Sequence, residues 1–358
     1  MGFDQTPQAA KPSAGLSRRW LVAVSVALAL VPGVVAAHPR WFTEKGPYWD
    51  PEWQRIFSLP VLLALLSGAV VVGLLAWGER ITGDPLWPRP PFLQRLEPAA
   101  PAILGVQTAI TMIFIASRLD LFVPNIELPH NALGVLIAGL TVIAAFAFIT
   151  GVLTRIGAAM VVALFFLGFF FADWYEVVEQ LLFVGIALYL VAVGRGVVRA
   201  DGVNEEDRSA MTDRLLPHAL MILRVSAGLT VLILAFTEKL INVDLGVAFL
   251  REYPEFNVAR ELGFIWFSDE RFVYAAGIVE ATAGIALISG YLTRVVILVI
   301  WLPFNLGIPF LPAEELIGHL PILSTMYVLL VRGTQGIPAV AADTERSPDQ
   351  RPAGAMRA

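Results

Sequence analysis

Cysteine is absent from the chain, histidine occurs only four times, and charge is sparse. Without thiolates the chain can hold no disulfide, no iron–sulfur cluster and no thioether-linked haem of its own, and it can run no thiol exchange. Asp, Glu, Lys and Arg make up 15% of its 358 residues, well below the roughly 25% of a soluble domain. A net charge of −5 argues against nucleic acid as a partner. The four histidines are scattered along the sequence, so haem held by a histidine pair is not expected. A ferritin-like di-metal site needs Glu-x-x-His on two helices, and the chain offers a single Glu-x-x-x-His, Glu315 and His319.

What the chain has instead is apolar length. Apolar residues make up 57% and mean hydropathy is +0.71. The apolar runs are continuous and long enough to cross a bilayer, without the period-two alternation of an outer-membrane barrel. The fold class expected is an all-α polytopic membrane protein whose main partner is lipid.

The run Gly290 to Gly333 lies on Gly151 to Gly194, 139 residues earlier, without a gap, and 12 of 44 positions are identical. Two Leu-rich helices match by composition alone. A shared Gly-x-Leu-Thr-Arg and a Glu at one offset (Glu176 and Glu315) do not. The duplication predicts two parallel four-helix repeats behind one or two N-terminal transmembrane helices.

The boundaries follow in order. Residues 1–37 read as a signal peptide or a first transmembrane helix. Residues 38–100 hold an aromatic outer segment, a span from about 59 to 77 and a Pro-rich loop. The first repeat takes 101–194, a cytoplasmic linker 195–217, the second repeat 218–333, and a disordered tail 334–358. In the second repeat, the stretch REYPEFNVARELGFIWF reads as an interfacial helix or lid on the outer surface, or as a loop covering helix ends. Placing the N-terminus in the cytoplasm puts 17 of 25 Lys and Arg residues inside, which orients the C-terminus to the cytoplasm.

Ionisable groups inside a membrane are costly, so each one needs a reason. In the second repeat Glu238, Lys239, Glu280, Asn305, Glu315 and His319 all fall within roughly 12 Å of the outer surface at 1.5 Å rise per residue. Glu280 has Gly277 and Gly284 on its own helical face, small residues that mark a tight helix contact. It has no evident counter-ion in the sequence, which favours proton relay or hydrogen bonding. Pro303, Pro309 and Pro312 free carbonyls near Asn305 and could bend that helix around a ligand. Glu280 and His319 are the candidate catalytic residues; Asn305, Glu315, Lys239 and Glu238 are the candidate substrate-binding residues. Arg118–Glu176 and Lys239–Glu315 are expected to be matching ion pairs of the two repeats. Each candidate also has a purely structural reading, as a buried pair that only packs. Were the chain cleaved after Ala37, His38 would offer an amine and an imidazole to copper.

A basic residue ending the first helix, a Gly-x-x-Thr-Arg turn between the second and third, and a polar start to the fourth resemble the DoxX/DoxD-like membrane proteins. The resemblance covers about 101–194 and 218–333, the second stretch better. It implies quinone-linked oxidation of sulfur compounds or a redox partner at the membrane, and it supplies no catalytic residues. The expectation is a bacterial inner-membrane subunit of a quinone-linked redox system. Its quinone or small-molecule pocket lies in the second repeat near the outer leaflet. No redox cofactor resides in the chain, so electrons come from a redox partner protein. Two alternatives stay open: a solute- or metal-handling membrane protein that is no enzyme, and an anchor whose aromatic outer segments dock a redox or periplasmic partner.

Overall fold

A computed structural model describes residues 38–43, 45–195, 205–307, 313–335 and 340–341. The stretch 1–37, read as a signal peptide or first helix, lies outside the described residues, as do Pro309 and Pro312.

The chain is an all-α polytopic membrane protein. After a single turn, α1 (Pro39–Phe42), comes α2 (Leu59–Thr82), followed by the short α3 (Phe92–Leu96). The first repeat comprises α4 (Ala100–Ser117), α5 (Ala132–Thr150), α6 (Thr154–Gly168), α7 (Trp174–Val178) and α8 (Leu181–Val193). The second comprises α9 (Glu205–Ala235), α10 (Val243–Glu252), α11 (Val258–Glu261), α12 (Asp269–Ser289), α13 (Thr293–Gly307) and α14 (Ala313–Arg332). Six stretches are long and apolar enough to cross a membrane: Leu59–Thr82, Phe92–Ser117, Ala132–Thr150, Trp174–Val193, Arg214–Leu240 and Asp269–Ser289. Thr154–Gly168 and Leu316–Arg332 are shorter apolar helices.

Within each repeat the four long helices close a ring. α4 packs on α5, α5 on α6, α6 on α8 and α8 back on α4; α9, α12, α13 and α14 repeat the pattern. The rings then pack crosswise, with α8 against α9 and α4 against α14. First helix meets fourth helix at both places, so a pseudo-two-fold axis relates the copies. One hydrophobic cluster runs through both, including Leu104, Met112, Phe148, Ile186, Leu223 and Met326. α2 packs on α12, where Ile285 closes over Gly68, and its other faces expose Leu62, Leu66 and Trp77.

The duplicated turn shows how one short sequence fixes one geometry twice. Gly151 and Gly290 end their helices at φ 79° and 77°, the left-handed conformation that glycine adopts without a Cβ penalty. Leu153 and Leu292 are left-handed too, at φ 53° and 42°. The Arg155 guanidinium donates to Ala192 O at 3.4 Å, and that of Arg294 to Val331 O at 2.7 Å. Both acceptors are among the last carbonyls of a fourth helix, which lack intrahelical partners. Ala192 and Val331 are themselves 139 residues apart.

Four differences from the sequence expectations have physical reasons. α9 begins at Glu205, inside the stretch assigned to a linker; Glu, Asp, Arg, Ala and Met there are adequate helix formers once a span nucleates the helix. The first repeat's fourth span is broken between α7 and α8. Gln180 N turns back to Val177 O, because Asp173 and Glu176 close a capping box that starts a separate short helix. The loop between α4 and α5 is a hairpin, β1 (Asp120–Leu121) with β2 (Val123–Glu127), entered at Leu119 and turned at Phe122, whose φ values are 61° and 64°. Finally, Thr334 is not the start of a disordered tail. It is buried, accepts from Arg224 at 3.1 Å and opens β3 (Thr334–Gln335), which pairs with β4 (Val340–Ala341). Residues 342–358 lie outside the described residues.

Candidate functional site

α9 ends in a π-turn, Phe236–Leu240, with Ile241 N reaching back to Phe236 O at 3.0 Å. The extra residue in this turn re-aims the side chains that follow, a device frequent at functional sites. Here it carries Glu238 and Lys239, both buried. α12 crosses α9 where Gly284 meets Gly228: a Cβ on Gly284 would lie 2.7 Å from Gly228 O. A Cβ on Gly277 would meet Leu240 at 2.9 Å and Lys239 at 3.0 Å. Glu280 lies on that same close-packed face, so it points into the protein. Lys239 Nζ sits 3.0 Å from Glu280 Oε2.

His38 reaches the cluster from the outer segment. Its Nδ1 faces Glu238 Oε2 at 3.7 Å, longer than a direct hydrogen bond. Its ring lies 5.4 Å from that of His319 on α14 and stacks on Trp41 at 5.2 Å. Trp41 in turn presses on Gly318, leaving no room there for a Cβ. Arg40 makes a buried ion pair with Glu179 and donates to Thr237 O at 3.1 Å and Trp49 O at 3.3 Å. Its guanidinium lies over Tyr175 at 5.0 Å and Trp49 at 5.9 Å. Burial alone would lower the Arg40 pKa; the charges of Glu179 and Glu238 outweigh that and hold it above its ordinary value.

Several of these groups line a cavity of about 70 Å³. Glu179, Glu238, Lys239, Glu280 and His38 supply its polar wall; Phe122, Phe183, Leu234 and Ile322 are among its apolar lining. An apolar cavity of about 150 Å³ admits one benzene ring, so this space as it stands fits a few waters and no ring. A wider recess of about 740 Å³ lies beside it, lined by Lys45, Asn125, Glu127, Asp173 and Glu176 among others. Trp41 borders both spaces.

The structure redraws several expectations. Glu280 does have a counter-ion, Lys239; helix crossing brings together groups 41 positions apart in sequence. Lys239 pairs with Glu280, and the expected Lys239–Glu315 pairing rests on a side chain outside the described residues. The side chains of Glu315 and Asn305 lie outside the described residues, although both positions fall on helices, α14 and α13, and α13 runs through Pro303 to Gly307. Arg118–Glu176 is not formed either. Arg118 is half exposed and lies 3.9 Å from Asp120, while Glu176 accepts from Trp49 at 3.2 Å and Asn125 at 3.1 Å. The histidines are not all scattered, since the rings of His38, which lines the cavity, and His319, which does not, lie 5.4 Å apart. The pocket is not confined to the second repeat: α8 and the β1–β2 hairpin of the first supply one wall. At the position matching Glu280, Thr141 bonds to Ile137 O of its own helix at 3.0 Å and has no such role.

Arg40 and Glu179 were missed. The signal for Glu179 was present, because an acid in the middle of an apolar run needs a reason. Arg40 lay in a segment that looked merely interfacial. Among the described residues no group of three or more His, Cys, Asp or Glu side chains could hold a metal ion, and His38 lies beside Glu238 and His319. No protein-family model, curated protein or solved structure matches the chain.

Proposed function

We propose that the chain is a proton-exchanging membrane subunit of a quinone-linked redox system in a bacterial inner membrane, with its C-terminus in the cytoplasm. One observation carries this reading: the charges of the buried cluster do not balance. Among the described residues it contains three carboxylates, Glu179, Glu238 and Glu280, against two fixed cations, Arg40 and Lys239. Arg40 answers Glu179 and Lys239 answers Glu280. Glu238 is left facing the imidazole of His38, whose ring lies 5.4 Å from that of His319. An unbalanced charge is not sustained in a buried setting, so Glu238, His38 and His319 share one proton between them. A proton that can sit on any of three groups, two of them lining a cavity, is a proton ready for exchange.

The quinone assignment rests on the DoxX/DoxD resemblance and on the mixed lining of the cavity, aromatic and aliphatic on one side and hydrogen-bonding on the other. In it, Glu280 and His319 hydrogen-bond the ring oxygens and hand over or take up protons. Glu238 and Lys239 orient them, and Arg40 fixes the outer segment over Glu179. The ring gains room when Trp41 swings off Gly318 into the wider recess. A bound quinone supplies the electron chemistry; electrons reach it from a redox partner protein.

The test is the quinone content of protein purified in native lipid. Wild type should carry bound quinone, Glu280→Gln should lose it, and Thr141→Val, at the matching place in the first repeat, should keep it. Equal content in all three would remove the site from the second repeat's helices.

A further inference from the structure

The connection between α9 and α12, which holds α10 and α11, ends in an apolar tip. Its first part folds onto the protein: Val243, Phe249, Leu250 and Phe256 share a buried cluster with Phe272 and Val273 of α12. The chain then turns away. Leu262, Phe264, Ile265 and Trp266 all stand exposed, Ile265 to 85%. The turn is made at Gly263, whose φ of 91° is left-handed. Polar groups at its base brace it. Arg271 donates to Trp266 O at 2.8 Å, Asn257 to Phe267 O at 3.4 Å, and Arg260 pairs with Asp269 at 3.1 Å. Four apolar side chains are thus held out on a fixed loop.

The place of the tip along the bundle says what covers it. Only Phe267 and Ser268 separate Trp266 from α12, a stretch long and apolar enough to cross a membrane. At no more than roughly 3.5 Å per residue, Trp266 lies within about 10 Å of the start of that span. This is the depth at which a bilayer passes from headgroups to acyl chains. A neighbouring segment ends in the same way. Arg55, just before α2, reaches Tyr274 Oη of α12 at 3.2 Å, and Phe57 and Leu59 beside it are exposed too. Both apolar ends continue the lipid-facing surface of the spanning helices at one end of the bundle. A surface in water exposes large apolar residues singly, not four within five positions, whereas the bilayer boundary accepts them, tryptophan above all.

We infer that residues 262–266 dock on the lipid bilayer, with Leu262, Phe264, Ile265 and Trp266 set among headgroups and upper acyl chains beside the start of α12. No residue of the cavity takes part, so the docking holds whatever the cavity binds.

The absence of cysteine makes the test direct, because one introduced thiol carries the only nitroxide label. The full chain in phospholipid nanodiscs is labelled at Ile265→Cys, at Leu262→Cys, at Leu66→Cys on the exposed face of α2, and at Glu255→Cys in the same connection as the tip. All four side chains are exposed, so the labels displace no packing. Power saturation compares access of oxygen, which concentrates in lipid, with access of a water-soluble nickel chelate. The oxygen-to-nickel ratio at Ile265 and Leu262 should exceed that at Glu255 several-fold and approach that at Leu66. A ratio as low as that at Glu255 would place the tip in water, as a free lid or a partner-protein site would be. Access of neither reagent would mean that a second copy of the chain covers it. Either result overturns the inference.

Discussion

At the scale of single residues, Lys239 and Glu280 are the most exacting pair. Removing one member of a buried ion pair strands the other charge, at a cost of about 3–5 kcal/mol, whereas replacing both is often close to neutral. Lys239→Met should lower the unfolding temperature sharply, and Lys239→Met with Glu280→Gln should restore most of the loss. Thermal unfolding in detergent tests this, and losses that simply add would show that the two groups do not depend on each other. Asp120, on the β1–β2 hairpin, gives a pH signature. Burial pushes its carboxyl up to about 7, with Arg118 pulling down only in part and Glu127 adding to the rise. A carboxyl raised in the folded state favours folding while it is protonated. Its contribution is whole below the unfolded value of about 3.9 and is lost as pH rises through about 7. Asp120→Asn should therefore stabilise the protein at pH 8 and change little at pH 4. A stability gain that is the same at both pH values would contradict the assignment.

At the scale of elements, the two Gly-x-Leu-Thr-Arg turns make a controlled comparison. Leu153 and Leu292 share a left-handed backbone, which costs an ordinary residue about 1–2 kcal/mol. Leu153 is 57% exposed and Leu292 only 1%. Leu153→Gly should gain up to about 1 kcal/mol from relief of that strain. Leu292→Gly should lose about 2 kcal/mol or more, because buried leucine contacts outweigh it. The same sign for both in denaturant titrations would mean that backbone strain does not differ between burial classes as argued. These elements also show what can be read in the sequence. The turns, the small-residue face around Glu280 and its burial were legible, because each is set by neighbours three or four positions away on one helix. The Lys239–Glu280 pair was not. It depends on how α9 crosses α12, and on a π-turn whose sequence, FTEKL, carries no mark of it. The break at Glu179 was hidden in the same way, by an apolar run that reads as one uninterrupted span.

At the scale of the whole molecule, duplication built the frame and divergence made the site. The pseudo-two-fold packing brings the fourth helix of the first copy beside the first helix of the second, and the cavity opens along that seam. Reading one repeat at a time therefore placed the pocket too narrowly. Thr141 on one side and Glu280 on the other show the same fold position left inert in one copy and charged in its twin. The outer segment completes the arrangement from outside both copies: His38, Arg40 and Trp41 each close one part of it, and nothing in their spacing announced a partner some 140 to 280 positions away.

The account stands on a single proton shared by Glu238, His38 and His319. Infrared difference spectra of the lipid-embedded protein between acid and alkaline pH measure it directly, since carboxyl and imidazole bands separate. Glu238→Gln and His319→Gln should each remove or shift the same set of titrating bands. Spectra identical to wild type in both variants would show that these groups share no proton.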